Sequence, residues 1–284
     1  MRKNARVRRA PIALIVCTAM LSMTSARVRA HDESKYPDMR AQWTRLGGPQ
    51  FDPDRPSNRG QQAPLTPEYQ AILEGIYAAR AKGSLEGNNT TTCIPYGMPR
   101  AMIVYETMDV IIQWEVTHIR VSSISELRRI YTDGRKWPAQ ITPTFMGYSI
   151  GHWEDSDGDG RFDTLVVETR GFRGPRTFDG TPGIPLHRDN QTVVNERIYL
   201  DKGNADVLRD DITVIDNALT RPWSVARKYK RSKQPYWSEY ACHESNQQVL
   251  VGKENYMVSA DGFLMPVKKD QPPPDLRYFN QPPK

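Results

Sequence analysis

A mainly β fold, an antiparallel barrel or sandwich with an N-terminal helix, is what the sequence predicts, and two observations carry that expectation. Beyond residue 100 the helical period disappears, and about ten short runs rich in β-branched and aromatic residues follow one another. Turn chemistry separates them (Asp133-Gly134, Pro182-Gly183, Lys202-Gly203, Asp261-Gly262), and no helical pattern intervenes as it would in an alternating strand–helix fold.

In chain order, residues 1–30 read as a signal peptide. A basic stretch (Arg2, Lys3, Arg6, Arg8, Arg9) precedes an apolar run from Pro11 to Met23, and Val28 and Ala30 suit a cleavage site. The apolar run is short for a membrane span, so no stable membrane anchor is expected after its removal. A periplasmic or secreted destination follows, by either the general secretory or the twin-arginine route. Of the 39 Lys/Arg, seven lie in this segment, leaving 32 against 33 Asp/Glu and a formal charge of about −1. Nucleic acid is therefore excluded as a partner, because its recognition needs a surplus of positive charge.

Residues 31–65 are polar and rich in proline and read as an extended arm. A helix is expected over 66–83, with Thr66 as N-cap and Pro67 at its first position. Tyr69, Ile72, Leu73, Ile76 and Tyr77 form its apolar stripe. The antiparallel β domain then spans 84–265, with runs at 101–106, 109–116, 118–124, 127–132, 147–153, 163–169, 192–200, 207–215, 223–230 and 236–243. Residues 266–284 form a Pro-rich C-terminal tail. Cys93 and Cys242, alone once Cys17 leaves with the signal, are expected to form one disulfide in an oxidising compartment.

Three groups of residues could carry chemistry. In Asp155-Ser-Asp-Gly-Asp-Gly-Arg-Phe-Asp163, the carboxylates Asp155, Asp157, Asp159 and Asp163 occupy the first, third, fifth and ninth positions of a calcium-loop pattern. Val166 stands where an EF-hand carries its bidentate glutamate, so a structural calcium turn between strands is expected, with Glu154 or Glu168 completing the shell. Second, strict alternation places Glu196 with Val194, Ile198 and Leu200, and Glu239 with Trp237, Ala241 and His243. A carboxylate on an apolar face needs a cationic partner, and Arg120 and Arg129 are available. Third, His152 shares a face with Glu154 across Trp153. Glu196, Glu239 and His152 are the candidate acid/base residues. Gly147-Tyr148-Ser149-Ile150-Gly151 matches the G-x-S-x-G pattern but lacks the helix a nucleophile elbow requires. No phosphate loop or dinucleotide fingerprint is present, so no organic cofactor is expected.

Several segments together resemble a widespread family of exported bacterial proteins with no established activity. They are Cys93-Ile-Pro-Tyr-Gly-Met-Pro-Arg100, Asp133-Gly134-Arg135, Gly147-Tyr148-Ser149-Ile150-Gly151-His152-Trp153-Glu154, Asp163-Thr-Leu-Val-Val-Glu-Thr169, Glu196-Arg197 and Glu239-Tyr240-Ala241-Cys242. The likeness spans roughly residues 90–246 and implies a calycin-like barrel around a cavity. It transfers no catalytic residues, and the family usually has a tight two-residue turn where this chain carries its acidic loop. The leading expectation is a small-molecule ligand, apolar or aromatic, held inside the barrel with Trp114, Arg129, Trp153, Trp223 and Trp237 among its surroundings. The alternatives are a cofactor-independent lyase, isomerase or hydrolase, and an envelope scaffold protein. The sequence leaves the oligomeric state open.

Overall fold

The computed structural model describes residues 32–61, 63–82, 94–122, 126–174, 176–178, 184–186, 191–237, 248–251, 254–258 and 264–265. The signal segment, the Pro-rich tail, Cys93, Cys242, Glu239 and His243 lie outside the described residues. The expected Cys93–Cys242 disulfide is corrected: no disulfide is found among the described residues.

Nine strands close into a barrel. They are β1 (Gln42–Arg45), β2 (Met108–Ile112), β3 (Val116–Val121), β4 (Glu126–Tyr131), β5 (Tyr148–Glu154) and β6 (Thr164–Arg170), followed by β9 (Val193–Asp201), β10 (Asn204–Ile215) and β11 (Trp223–Arg231). Around the ring the order is β1-β11-β10-β9-β6-β5-β4-β3-β2, and β2 pairs again with β1. Between β6 and β9 lies a separate hairpin, β7 (Arg176–Phe178) with β8 (Ile184–Leu186). A further sheet joins β12 (Gln248–Val251), β13 (Glu254–Val258) and β14 (Leu264–Met265).

Eight of the ten expected runs form barrel strands; the run at 236–243 falls mostly outside the described residues, and β1, β7, β8 and β12–β14 stand where no run was expected. The run at 101–106 is not a strand; Arg100–Ile103 makes a buried 3₁₀ turn after a cis Met98–Pro99 bond. The ring is also not wholly antiparallel, because β4 and β5 pair in parallel through Ile130 with Ser149 and Tyr131 with Ile150. The connection 132–147 returns the chain only to the last residues of β4, so that β5 starts level with Arg129 and runs on past the end of β4. Pro138 and Pro143 keep it from inserting another strand on the way.

Alternation sorts each strand into an inner and an outer face. Met108, Val110 and Ile112 point inwards from β2, Leu165 and Val167 from β6, Val194 and Ile198 from β9, and Leu208, Ile212 and Val214 from β10. The segment expected as an extended arm supplies β1, which sits between β2 and β11 and closes the ring. Its Trp43 is fully buried and donates its indole N–H to the Met39 carbonyl at 2.9 Å. Helix α1 (Pro67–Ala81) lies outside the barrel; Thr66 caps it by accepting from the Tyr69 amide, and Leu73 and Ile76 are its buried residues.

Because Trp43 ties the closing strand to the core, Trp43→Ala is expected to cost about 3–5 kcal/mol of stability. Urea unfolding followed by intrinsic fluorescence measures this. A loss under about 1 kcal/mol would show that β1 does not hold the ring shut.

Candidate functional site

The inner faces of β4, β5, β6, β9, β10 and β11 bring six polar side chains into an otherwise apolar interior. Arg128 and Glu196 form the centre of this group, and both are at least 98% buried. The guanidinium grips the carboxylate with both terminal nitrogens, Nη1 donating to Oε1 at 2.8 Å and Nη2 to Oε2. Nη2 also donates to Thr169 Oγ1 at 2.9 Å, and that hydroxyl lies 2.9 Å from Ser149 Oγ. Bidentate charge-assisted bonding is the arrangement that offsets the desolvation of two buried ions. The inward orientation predicted for Glu196 is therefore present, but its partner is Arg128 rather than Arg129 or Arg120.

Arg227, on β11, is bonded through its two terminal nitrogens to backbone carbonyls instead of to an acid. Nη1 donates to the Gln50 and Phe51 carbonyls at 2.6 and 2.7 Å, and Nη2 to the Ile103 carbonyl at 3.1 Å. Tyr229 beside it donates its hydroxyl to the Met102 carbonyl at 2.6 Å. Two non-strand segments, 50–51 and 102–103, are thereby fastened to the inner wall of the barrel.

Asp210 is the exception in this network. It stands directly opposite Arg227 in the β10–β11 register and is fully buried. Neither carboxyl oxygen has a hydrogen-bond partner among the described residues, and neither has Arg227 Nε. Burial, then the neighbouring Glu196 charge, pushes the Asp210 carboxyl well above its ordinary 3.8; Arg128 and Arg227 oppose this without cancelling it. Burial, with Asp210 adding to it, also pushes the Tyr229 phenol up.

The remaining residues singled out from sequence are dispersed. Trp114 is 41% exposed beside the β2–β3 turn, and Trp237 is 37% exposed with the Arg120 guanidinium 4.1 Å from its ring centre. Trp223 is buried against Phe51 at 4.9 Å. Trp153 is half-buried on the inner register of β5, edge-on to Tyr36 at 5.3 Å. Arg129 points outwards from β4, opposite His118, whose imidazole is pushed down by burial and then by the Arg129 charge. His152 is exposed, with Nε2 3.2 Å from Glu154 Oε1. An Arg197 hydrogen bond, with His152 assisting, holds the Glu154 carboxyl below its usual range. Ser149 lies within β5 and not on an elbow. A Cβ at neighbouring Gly151 would fall 2.8 Å from Ile130 Cγ2 and 2.9 Å from the Val166 carbonyl, so packing accounts for that glycine.

The acidic loop is a hydrogen-bonded turn. Asp155 accepts from the amides of Gly158, Asp159 and Gly160, and Gly160 takes a left-handed φ of 85°. One carboxylate oxygen each of Asp155, Asp157 and Asp159 lies within 4.8 Å of the others. Asp163 is outside that cluster and accepts from the Ser156 amide and hydroxyl at 2.9 and 2.6 Å.

The decisive interior residues Asp210, Arg227 and Tyr229 were within reach of the argument that found Glu196. Asp210 alternates with Leu208, Ile212 and Val214, and Arg227 with Trp223, Val225 and Tyr229. Arg128 is harder to find, because Arg128 and Arg129 are adjacent and Leu127 and Tyr131 make the outer face look like the apolar one.

No family model matches this chain, and no curated protein matches it. The closed nine-strand ring is consistent with a calycin-like barrel. No helix among the described residues is long and apolar enough to cross a membrane.

The raised Asp210 value has a definite consequence for stability. The folded state binds this proton more tightly than the unfolded chain, so the contribution is full below 3.8 and is lost as pH rises through the folded value. Asp210→Asn removes that dependence. Urea unfolding over a pH series is expected to show wild-type stability falling relative to the variant as pH rises from about 4 towards neutrality. Parallel profiles would contradict the assignment.

Proposed function

We propose that this chain is an exported carrier whose barrel encloses a small, mainly apolar or aromatic molecule bearing one polar group. The observation that supports this most is the unpaired Asp210 carboxyl facing Arg227 inside the barrel. An unsatisfied buried polar group costs about 1–3 kcal/mol, and a fold keeps one where something else offsets it. A guest presenting a donor to Asp210 and an acceptor to Arg227 Nε would satisfy both. Trp43, Met102, Met108, Phe172 and Tyr229 belong to the buried core cluster, and such adaptable and aromatic side chains would face the guest's apolar body. The signal-like first thirty residues and the likeness to exported bacterial proteins support a periplasmic or secreted location.

Native mass spectrometry of protein expressed with its leader tests this reading. A co-purifying small molecule is expected on the wild type, and at least tenfold less of it on Asp210→Ala. Wild-type protein that carries no guest, or a variant that retains it fully, would overturn the proposal.

A second reading draws on the same residue. Asp210, whose raised pKa favours keeping its proton, beside an ion-paired Glu196, suits acid/base catalysis without an organic cofactor, as in an elimination, isomerisation or hydrolysis. Conversion of the co-purified molecule on incubation with fresh protein would favour the enzyme over the carrier.

We also infer a structural calcium ion at the acidic loop, with Asp155, Asp157 and Asp159 as ligands. Saturating calcium at about 100 times its Kd contributes about 2.7 kcal/mol, which corresponds to a Tm rise of several degrees. Differential scanning fluorimetry is expected to show that rise, its reversal by chelator and its absence in Asp157→Ala. A melting curve indifferent to calcium would reject the site.

A further inference from the structure

The outer wall of the barrel carries a concavity. A groove of about 530 Å³ crosses β5, β6, β9 and β10, within the usual range for small-molecule sites. The strand register builds it. Ile150 pairs with Glu168 and Glu168 with Asn195; on the next row Val166 pairs with Arg197 and Arg197 with Asp211. All of these side chains project outwards.

Trp137, from the connection between β4 and β5, forms an aromatic wall, and Ile150 and Val166 give a half-buried apolar floor. The wall continues along the barrel surface: the Tyr148 ring centre lies 6.0 Å from that of Trp137, and Tyr131 lies 5.1 Å beyond Tyr148. Arg170 is placed 4.8 Å over the Trp137 ring and Arg135 3.7 Å over Tyr131, so these rings are held in position.

Apart from the Thr213 hydroxyl, the polar side chains that line the groove are planar. Carboxylates at Glu168 and Asp211, the Asn195 amide and the Arg197 guanidinium present paired donors or acceptors side by side. The Glu168 and Arg197 charges are balanced by neighbouring ions, whereas the Asp211 carboxylate is hydrogen-bonded to a neutral hydroxyl. Glu168 pairs with Arg170 at 2.5 Å, Arg197 with Glu154 at 2.9 Å, and Asp211 accepts from the Tyr199 hydroxyl at 2.9 Å. Such a surface offers no net attraction to an anion. It suits a neutral molecule with adjacent hydroxyls, which planar side chains engage in pairs, and with a C–H face to lie against an indole ring.

We propose that this groove is a saccharide-binding site that takes a neutral oligosaccharide. The site stands independently of whatever the interior holds. The test is titration of the full mature chain with cellotriose, maltotriose and chitotriose, followed by saturation-transfer NMR and tryptophan fluorescence. At least one is expected to bind with a Kd of about 1 mM or tighter. Trp137→Ala and Asn195→Ala should each weaken it at least tenfold while leaving the melting temperature within about 3 °C of wild type. Failure of all three sugars to bind at about 10 mM would overturn the proposal. So would binding that survives Trp137→Ala, or an aromatic carboxylate that binds the groove more tightly than the sugars.

Discussion

A short strand from the region before the helix holds the architecture closed. The other eight barrel strands would form a curved sheet with two open edges, at β2 and β11. Four residues, Gln42–Arg45, pair with both edges and complete the hydrogen-bonded ring. Closure satisfies the edge groups that would otherwise be open to pairing with another chain. It also commits every second side chain of nine strands to an interior that has to meet all their polar needs. The charged residues found inside follow from that constraint.

The interior meets the constraint by dividing its cations. Arg128 is fully engaged by the Glu196 carboxylate and the Thr169 hydroxyl, whereas Arg227 is engaged by three backbone carbonyls. Asp210 is near both guanidiniums and bonded to neither. Its carboxyl therefore meets the cost of burial without the hydrogen bonds that would keep it ionised, and proton uptake is the available response. Glu196 is held in a bidentate ion pair and Asp210 is left with a raised pKa, although both lie on inward positions of neighbouring strands.

The barrel strands were legible in the sequence because alternation is a local signal. The inward placement of Glu196 followed from Val194, Ile198 and Leu200 alone. The partners of that acid were not legible, because pairing depends on which strands become neighbours around a ring. The parallel β4–β5 contact, the closing role of Gln42–Arg45 and the conversion of 101–106 into a 3₁₀ turn are all set at that level. Local pattern also misled at Trp114 and Trp237: large aromatic rings read as walls, yet both lie on the outside. The acidic loop was plain as a turn, and the amides bound by Asp155 show that its carboxylates also serve the backbone.

The 3₁₀ turn Arg100–Ile103 is clasped to the barrel wall. Its carbonyls and those just after it are held by side chains from the wall: Met102 by Tyr229, Ile103 by Arg227, and Val104 and Tyr105 by Arg45. Hydrogen bonds to charged groups contribute about 1.5–3 kcal/mol each, so lifting this segment means breaking several together. Val104, at a φ of 53°, sits where a β-branched residue is strained, which lowers the barrier from the closed side. The segment therefore opens only as a unit, and Val104 keeps its left-handed turn because the bonds on either side of it hold.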